Sequence, residues 1–383
     1  MNQLQSVLFN LLQFQISTTL NGYIPSNIDW NALYALSKKH ELAHLIGDAI
    51  IKLNIDTNRD SAVLFETQLF DAHYRVERYQ YAFQEICQLF EQEKIPFLPL
   101  KGLVLRSFYP ETWMRTSCDM DILVHSEDLK RAEEILSNNL QYKIKNITPH
   151  DISFLSSDGV HLELHHSLVE KKRAADSNRI LEQVWKYSKP LGDSRYHFVM
   201  DKAMFYFYHI AHMAKHFENG GCGIRSVFDL WLMEQQRDFW SKDSLQLLKQ
   251  GGLLTFASAM RNLAQIWFSH GTYDPLLLMM EEFILSGGIY GSSKQQYSIR
   301  AYRSKGKWKY LLSRIFIPYS DLKYQYPILF KHMYLFPFCQ LHRWFSLLCS
   351  EKSQKRKDTL KKVTSITEQQ ITEVSYLLNQ LEL

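Results

Sequence analysis

The chain has 383 residues, of which 44 are Lys or Arg and 40 are Asp or Glu, so its formal net charge is +4. This charge is too small to indicate bulk binding of nucleic acid by itself. Hydrophobic residues make up 46% and charged residues 22%, which is an ordinary globular composition and excludes extensive disorder.

The N-terminal residues are predicted to form helices. Asp29 can cap a helix that runs through Ile46. A longer helix is predicted from about Ala62 to Glu93, because apolar residues recur there at steps of three and four. Its apolar stripe consists of Leu69, Ala72, Val76, Tyr79, Phe83, Ile86 and Phe90. Pro96 ends this helical region.

Residues 96–168 are predicted to form a small sheet with helices between its strands. The predicted strands are CDMDILV (118–124), YKIKN (142–146), DISFLSS (151–157) and VHLELHHSL (160–168). The first of them alternates between polar and apolar residues, as a half-buried strand does. The last two flank Asp158-Gly159, which is the strongest hairpin signal in the chain.

The chain is predicted to be helical again from about residue 198. The predicted helices lie near 201–217, 224–233, 241–250, 254–269, 275–285 and 353–382. Residues 287–307 are rich in Gly, Ser and Lys and are predicted to be a loop or a mobile linker. The basic stretch from Lys352 to Lys362 is interpreted as a solvated helix face, although it could attract RNA or a membrane surface.

The cysteine pattern and the hydropathy predict a cytoplasmic protein without a membrane span. Five widely spaced cysteines with no C-x-x-C pair favour reduced thiols in a cytoplasmic protein over a disulfide framework. The N-terminal segment lacks a basic region and a cleavage site, which predicts a helix of the fold rather than a signal peptide. No stretch approaches eighteen uncharged apolar residues, so we predict no membrane span.

Acidic residues on two predicted strands form the candidate metal site. Asp119 and Asp121 project to the same face of their strand, where two neighbouring carboxylates repel each other unless a cation lies between them. Oxygen ligands favour Mg²⁺ or Mn²⁺. If the hairpin strand is a neighbour, Glu163 becomes a third carboxylate. Three such acids can hold two metal ions, which stabilise in-line displacement at phosphorus.

A Lys-Gly pair precedes the acids. Lys101 and Gly102 follow a predicted short strand and precede a short helix. Glycine lets the backbone approach a phosphate closely, the start of a helix offers free N–H groups, and lysine adds a positive charge. This part of the chain is therefore predicted to bind a metal–polyphosphate ligand.

Two groups of histidines leave alternatives open. His161 and His165 lie on the same strand face as Glu163 and could form a zinc site with a third ligand, although the carboxylates favour a harder ion. They could instead contact a base or a substrate. Neither reading changes the prediction for the acids.

A predicted helix carries three more histidines. His209, His212 and His216 share one face, which we interpret as a polar face lining a cleft. His212 and Lys215 are candidates for contact with a nucleotide or substrate. Arg225 and Asp229, four residues apart on the next helix, are predicted to form a surface ion pair.

The run LPLKGLVLRSFYPETWMRTSCDMDILV, followed by HLELHHSL, resembles the uncharacterised nucleotidyltransferase-like family of the polymerase-β-type nucleotidyltransferase superfamily. In that superfamily a strand with an acid-x-acid pair is followed by a third acid on a later strand. The resemblance implies that Asp119 and Asp121 ligate metal and that Glu163 is the third acid. The match is weaker through residues 206–233.

The resemblance also implies how phosphate is bound. Most branches of the superfamily have a Gly-Ser pair where this chain has Lys101-Gly102, and the uncharacterised branch itself typically has Lys-Gly. Lys101 and Gly102 are thereby implied to hold the triphosphate. Arg115 matches a basic position shortly before the acid pair, which implies a further contact with the triphosphate.

The implied fold is α+β, with a small mixed β-sheet nucleotidyltransferase core embedded in a mostly helical protein. The predicted division is a helical region over 1–94, the core over 95–190, a helical domain for substrate or nucleotide over 191–330, and a helical tail over 331–383. The implied reaction is Mg²⁺- or Mn²⁺-dependent transfer of a nucleoside monophosphate from a nucleoside triphosphate to an acceptor, with release of pyrophosphate.

Two other functions remain open at this point. One is a catalytically inactive nucleotide-binding sensor or partner-binding subunit, and the other is a metal-dependent phosphohydrolase that uses the same acids on water. The sequence does not specify the base or the acceptor, which can be a small molecule, a peptide, a protein or a nucleic acid.

Overall fold

The computed structural model describes residues 2–20, 22–169, 175–236, 238–349 and 361–383. This part of the chain is mostly helical and contains one mixed sheet of five strands, which confirms the predicted α+β class. Among the described helices, none is long and apolar enough to cross a membrane.

In the described part of the N-terminal region, four helices precede the sheet. They are α1 (Gln3–Ser17), α2 (Trp30–Lys39), α3 (Ala43–Lys52) and α4 (Arg59–Gln92). The Asp29 carboxylate accepts a hydrogen bond from the N–H of Ala32 at 2.9 Å, which confirms the predicted cap. The prediction of one helix through Ile46 is wrong, because Glu41 adopts a φ of 56° and a helix cannot continue through this left-handed conformation. The long predicted helix is confirmed as α4.

The five-stranded sheet contains the predicted hairpin and three further strands from the predicted sheet region. Its strands are β1 (Phe97–Pro99), β2 (Met120–Val124), β3 (Lys143–Ile147), β4 (Asp151–Leu155) and β5 (His161–His165), in the order β1-β2-β5-β4-β3. Strands β2 and β5 are parallel, and the other neighbouring pairs are antiparallel. Gly159 has a φ of 78° in the β4–β5 turn, a conformation that glycine adopts without steric cost. The sheet therefore brings β2 and β5, which are far apart in sequence, side by side.

One face of the sheet forms a hydrophobic core. Met120, Ile122 and Val124 of β2 pack there with Leu162 and Leu164 of β5. Tyr79, Ile86 and Phe90 of α4 and Ala132 and Leu136 of α6 (Leu129–Asn139) belong to the same cluster. Because successive residues of a strand point to opposite faces, this packing directs Asp121 and Glu163 to the other face.

The remaining elements are mostly helical. They are α5 (Gly102–Leu105), α7 (Ala175–Leu181), β6 (Ser188–Pro190), β7 (Phe198–Met200), α8 (Lys202–Asn219), α9 (Ile224–Gln235), α10 (Lys242–Gln250), α11 (Leu254–Phe268), α12 (Pro275–Ser286), α13 (Ser293–Arg303), α14 (Lys307–Ile315), α15 (Tyr319–Gln325), α16 (Phe336–Cys349) and α17 (Glu368–Gln380). Strands β6 and β7 form a separate antiparallel pair.

Two predictions about the C-terminal part need correction. Most of the predicted loop at 287–307 is helix α13, which begins with a capping box between Ser292 and Gln295. The predicted helix at 353–382 is interrupted within its described part, because Thr367 caps a new helix, α17. Residues 353–360 of that prediction lie outside the described residues.

The chain divides into two compact units. Unit 1 comprises residues 1–215 and 223–277 and contains the five-stranded sheet; unit 2 comprises 216–222 and 278–383 and contains α13 to α17. The functional division of the chain into four segments stays a prediction.

Candidate active site

Asp121 and Glu163 occupy paired positions on the parallel strands β2 and β5. Residues paired in this way project to the same face of a sheet, so their carboxylates are neighbours. Together with His165, they form a group whose ligand atoms all lie within 4.8 Å of one another. The structure thus brings together two of the three acids that the sequence predicts, Asp121 and Glu163, which lie 42 positions apart in the chain.

Asp121 is the centre of this group. Its side chain is 2% exposed, and Oδ1 accepts hydrogen bonds from Nζ of Lys101 at 2.6 Å and from Nε2 of His165 at 2.9 Å. Burial alone would raise the pKa of this carboxyl, but the Lys101 ammonium and the His165 hydrogen bond outweigh burial and hold the pKa of Asp121 well below its usual range. Asp121 is therefore a stable anion in a site that otherwise disfavours charge.

Asp119 lies immediately before β2. Burial and the neighbouring Asp121 carboxylate raise the pKa of Asp119 to about 6. Lys101 opposes this effect only in part. Among the described residues, the clustered ligand group does not include Asp119. The pKa values of the two neighbouring acids therefore differ strongly, as expected for like charges that share a site.

His165 joins the acids more closely than the sequence prediction allowed. Its Nε2 also lies 3.6 Å from Oε2 of Glu163, and its Nδ1 lies 3.9 Å from Oδ2 of Asp151. Burial opposes protonation, but the hydrogen bond to Asp121 raises the pKa of His165 above its usual value. The sequence carried this signal, because His165 follows Glu163 by two residues on the same strand face. His161, the other histidine considered for zinc, instead contacts Oγ of Ser153 through Nε2 at 2.7 Å.

Lys101 reaches Asp121 from an unusual backbone conformation. Its φ is 44° at the point where the chain leaves β1 for α5. A positive φ is uncommon for a residue with a side chain and costs conformational free energy. Burial opposes the charge of Lys101, yet the Asp121 carboxylate raises the pKa of Lys101 well above its usual value. The ammonium group is therefore held in the acid cluster.

Gly102 follows Lys101 at the start of α5. A Cβ at this position would lie 3.0 Å from Cβ and 3.1 Å from Oγ of Ser117. The structure therefore explains this glycine by the close approach of the Ser117 segment. The predicted phosphate contact of Gly102 stays a prediction.

Arg115 lies in a buried ion pair. Its Nε donates to Oδ1 of Asp229 at 2.7 Å, and the hydroxyl of Tyr109 donates to the same oxygen at 2.7 Å. Burial opposes the charge, but Asp229 raises the pKa of Arg115 above its usual value. The structure thus directs the guanidinium group towards Asp229, a geometry that does not support the predicted triphosphate contact. The predicted surface pair of Arg225 with Asp229 is wrong, because Arg225 is buried and pairs with Glu41.

Cationic and polar side chains hold the loop that precedes Asp119. The carbonyl of Met114 contacts Nε2 of His44 at 2.9 Å, and the carbonyl of Arg115 accepts from Nε of Arg106 at 3.0 Å. Arg106 also donates to Oγ of Ser117 at 2.7 Å. Sequence reasoning missed this network because its members come from separate segments and no local pattern links them.

A cavity of about 300 Å³ opens beside the acid cluster. Its lining contains Lys101, Glu163 and His165 from the sheet region, together with His212 and Lys215 from α8. The structure thus places four predicted site residues, Lys101, Glu163, His212 and Lys215, around one pocket. The other lining residues are Thr148, His150, Asp151, Ser167, Leu168 and Tyr208. Of the predicted histidine face, His209 is buried, and burial lowers its pKa.

Comparisons with known proteins place the chain in a family context. A family model described as an uncharacterised nucleotidyltransferase matches residues 26–269. The solved structure of the antibiotic-resistance factor ANT(2'')-Ia shares 8% identity with a TM-score of 0.28, over 51% of this chain and 91% of that chain. The Thermotoga maritima CCA-adding enzyme complexed with tRNA shares 14% identity with a TM-score of 0.22, over 77% of this chain and 85% of that chain. No curated protein matches. The range matched by the family model contains the whole acid cluster and its pocket.

Proposed function

This chain belongs to the uncharacterised nucleotidyltransferase family, and we propose that it transfers a nucleoside monophosphate from a nucleoside triphosphate to an acceptor with release of pyrophosphate. The observation that carries this proposal is the clustering of Asp121, Glu163 and His165 at a pocket that also contains Lys101 and Lys215. Such a pocket offers ligands for a metal ion next to positive charge for phosphates.

The donor set fits Mg²⁺ or Mn²⁺. Carboxylate oxygens dominate it, and hard oxygen donors select these ions. We propose Asp121 and Glu163 as ligands, with Asp119 as the third acid and His165 supporting Asp121. When bound, two such ions would supply charge stabilisation for an in-line displacement at the α-phosphorus.

The protein's cations are proposed to bind the triphosphate. Lys101, Lys215 and His212 line the same pocket and provide donors for the β- and γ-phosphates. Gly102 lies next to Lys101, where its backbone N–H can reach the same phosphates. Arg115 is proposed to act indirectly, because its ion pair with Asp229 holds the loop that leads to Asp119.

Glu163 is proposed to help deprotonate the acceptor. It lines the pocket and is 28% exposed, so it can reach a hydroxyl or amine that enters from solvent. The acceptor can be a small molecule, a peptide, a protein or a nucleic acid. We also propose a cytoplasmic location, in line with the free thiols of Cys87, Cys118, Cys222 and Cys339.

One observation favours a second candidate function. Oδ1 of Asp121 already accepts hydrogen bonds from Lys101 and His165, so a metal ion must compete with two donors for this oxygen. If Lys101 and His165 keep their hydrogen bonds to Asp121 and exclude the metal ion, the chain would bind nucleotide without turnover, as a sensor or partner-binding subunit. Phosphohydrolysis with the same acids is the third outcome that the experiment must separate.

The test combines nucleotide binding with product analysis. We would titrate the protein with each nucleoside triphosphate and Mg²⁺ or Mn²⁺ and then measure pyrophosphate and inorganic phosphate after adding pools of small molecules, peptides and RNA. Pyrophosphate release that requires an added acceptor and that Asp121→Asn abolishes supports the proposal, whereas pyrophosphate release without an acceptor is hydrolysis. Binding without either product supports the sensor, and inorganic phosphate alone supports the hydrolase. Undiminished pyrophosphate release by Asp121→Asn would refute the assigned site.

A further inference from the structure

Residues 303–345 of unit 2 are strongly basic. They contain eight Lys or Arg residues and one Asp, which gives a net charge of +7 against +4 for the whole chain. The rest of the chain therefore sums to a net charge of −3, that is +4 less +7, so this segment is far more basic than the chain as a whole. This asymmetry is independent of the nucleotidyltransferase site, which lies in unit 1.

Helix α14 in this segment is apolar on two sides. Tyr310 and Leu311 are buried in a cluster of unit 2. Trp308, Leu312 and Ile315 are exposed, with Trp308 at 67%. Their spacing of four and three residues places them on one helix face. An amphipathic helix needs only one apolar stripe for the core, so the second stripe calls for another explanation.

Helix α16 repeats this arrangement. Its Cys339 is buried in a hydrophobic cluster, whereas Phe338, Leu341 and Phe345 are exposed at spacings of three and four residues. Phe345 is 67% exposed. Two helices of one segment thus each present a stripe of large apolar side chains to solvent.

The two helices meet near the end of α14. The carbonyl of Ile315 accepts hydrogen bonds from Nε1 of Trp344 at 2.8 Å and from Arg343 at 3.0 Å. The ring of Phe316 contacts that of Trp344 edge to face, with centroids 5.2 Å apart. The exposed stripes of α14 and α16 therefore lie close together. We call them the basic apolar surface; it consists of Trp308, Leu312, Ile315, Phe338, Leu341 and Phe345.

Lysines accompany the exposed rings. Nζ of Lys307 lies 6.0 Å from the centroid of the Trp308 ring, and Lys305 and Lys309 are exposed on either side. Aromatic and aliphatic side chains flanked by lysines are typical of helices that lie in the interface of a membrane, where the apolar face enters the acyl region and the lysines meet anionic headgroups.

We propose that the basic apolar surface binds the surface of an anionic lipid bilayer. The aliphatic side chains distinguish this partner from RNA, because Leu312, Ile315 and Leu341 gain from burial among acyl chains, whereas RNA is bound through phosphates and stacked bases. A second copy of the chain is disfavoured because two surfaces of this charge repel each other. The proposal does not depend on the proposed nucleotidyl transfer.

The test is flotation of the full chain with lipid vesicles. Vesicles of phosphatidylcholine mixed with phosphatidylglycerol are expected to carry the protein, vesicles of phosphatidylcholine alone are not, and added salt is expected to weaken binding. Trp308→Gln with Phe345→Gln should reduce the partition coefficient about tenfold or more. Lys305→Gln and Lys309→Gln should each reduce it about fivefold.

Matched controls come from unit 1. Phe70 and Tyr81 are 70% and 65% exposed, so Phe70→Gln with Tyr81→Gln removes two rings of similar exposure and should leave vesicle binding unchanged. Circular dichroism checks that each variant is folded, and the lysine variants test the proposal if the aromatic variant unfolds.

Several results would overturn the proposal. These are equal binding to both kinds of vesicle, loss of binding in the unit 1 control as large as that in Trp308→Gln with Phe345→Gln, and tighter binding to polyuridylate RNA than to anionic vesicles. Self-association without lipid that the double aromatic variant abolishes would assign the surface to a second copy instead.

Discussion

Two buried aspartates in unit 1 have the same local arrangement but different surroundings. Asp121 and Asp229 are each 2% exposed, and in each case Oδ1 accepts hydrogen bonds from two side chains. The donors of Asp121 are Lys101 and His165, which line a cavity. Those of Asp229 are Arg115 and Tyr109, which are both 6% exposed.

This difference in exposure suggests that the partners of Asp121 can be exchanged for a ligand, whereas those of Asp229 are fixed. Lys101 is a flexible point charge at a pocket and can turn from Asp121 to a phosphate, so a metal ion can take its place. The Arg115 guanidinium, by contrast, is enclosed with Asp229 in a pair whose side chains are 8% and 2% exposed. We therefore propose ligand exchange at the Asp121 cluster and structural support from the Asp229 cluster.

The largest effect on stability is expected from breaking the Asp229 cluster. Asp229→Ala leaves the Arg115 guanidinium buried without its carboxylate and should lower the free energy of unfolding by about 3–5 kcal/mol. Chemical denaturation measures this loss. Asp121→Ala is the matched control and should cost clearly less, because Lys101 can reach the water of the pocket. Equal losses in the two variants would remove the distinction between the clusters.

A substitution in the Asp121 cluster is expected to lower the activity rather than the stability. Glu163→Gln keeps the shape of the side chain but removes its charge, and it should lower the rate of pyrophosphate release about hundredfold or more. The free energy of unfolding should change by less than about 0.5 kcal/mol, since the side chain is partly exposed. Glu182→Gln, at an exposed position, is the control. A Glu163→Gln variant with the control's rate would exclude Glu163 from the site.

A pH-dependent effect on stability is expected at Asp119. Burial and Asp121 raise the pKa of Asp119 from its usual 3.8 to about 6, so the folded chain binds this proton more tightly than the unfolded chain. The free energy of unfolding therefore falls as the pH rises from 3.8 through about 6. In the presence of EDTA, Asp119→Asn should be more stable than the parent chain by about 1–2 kcal/mol near pH 7, and the gain should fade towards about pH 4. A gain that is the same at both pH values would argue against this cause.

The smallest effect is expected at the edge of the pocket. Lys215→Met removes one charge that we propose for the triphosphate, and it should raise the KM for the nucleotide about fivefold, equivalent to about 1 kcal/mol. Steady-state kinetics measures this change. Lys242→Met, which alters an exposed lysine outside the pocket, should leave KM unchanged, and an equal rise in both variants would indicate only a general effect of charge.

Local patterns were sufficient for much of the fold and for the acids. The apolar stripe of α4, the Asp158-Gly159 turn and the alternation in β2 and β5 each depend on residues close in sequence. The pairing of Asp121 with Glu163 was predictable once β2 and β5 were assumed to be neighbours.

Long-range polar pairs were not predictable in this way. Arg115 and Asp229 are 114 positions apart, so no periodicity links them, and the spacing of Arg225 and Asp229 suggested the wrong pair. The contact of His165 with Asp121 could be inferred only once β2 and β5 were assumed to be neighbours, because His165 shares the strand face of Glu163. Helix α13 was missed because Gly, Ser and Lys suggested a loop, whereas Ser292 and Gln295 cap a helix.

Asp121 and Glu163 are proposed to hold the metal ion that accompanies a nucleoside triphosphate. A crystal structure with a nonhydrolysable triphosphate and Mn²⁺, located by anomalous scattering, tests it directly and needs no acceptor. We predict Mn²⁺ in contact with both carboxylates and the phosphates beside Lys101 and Lys215. Mn²⁺ and nucleotide bound away from these two acids would contradict the proposed metal site.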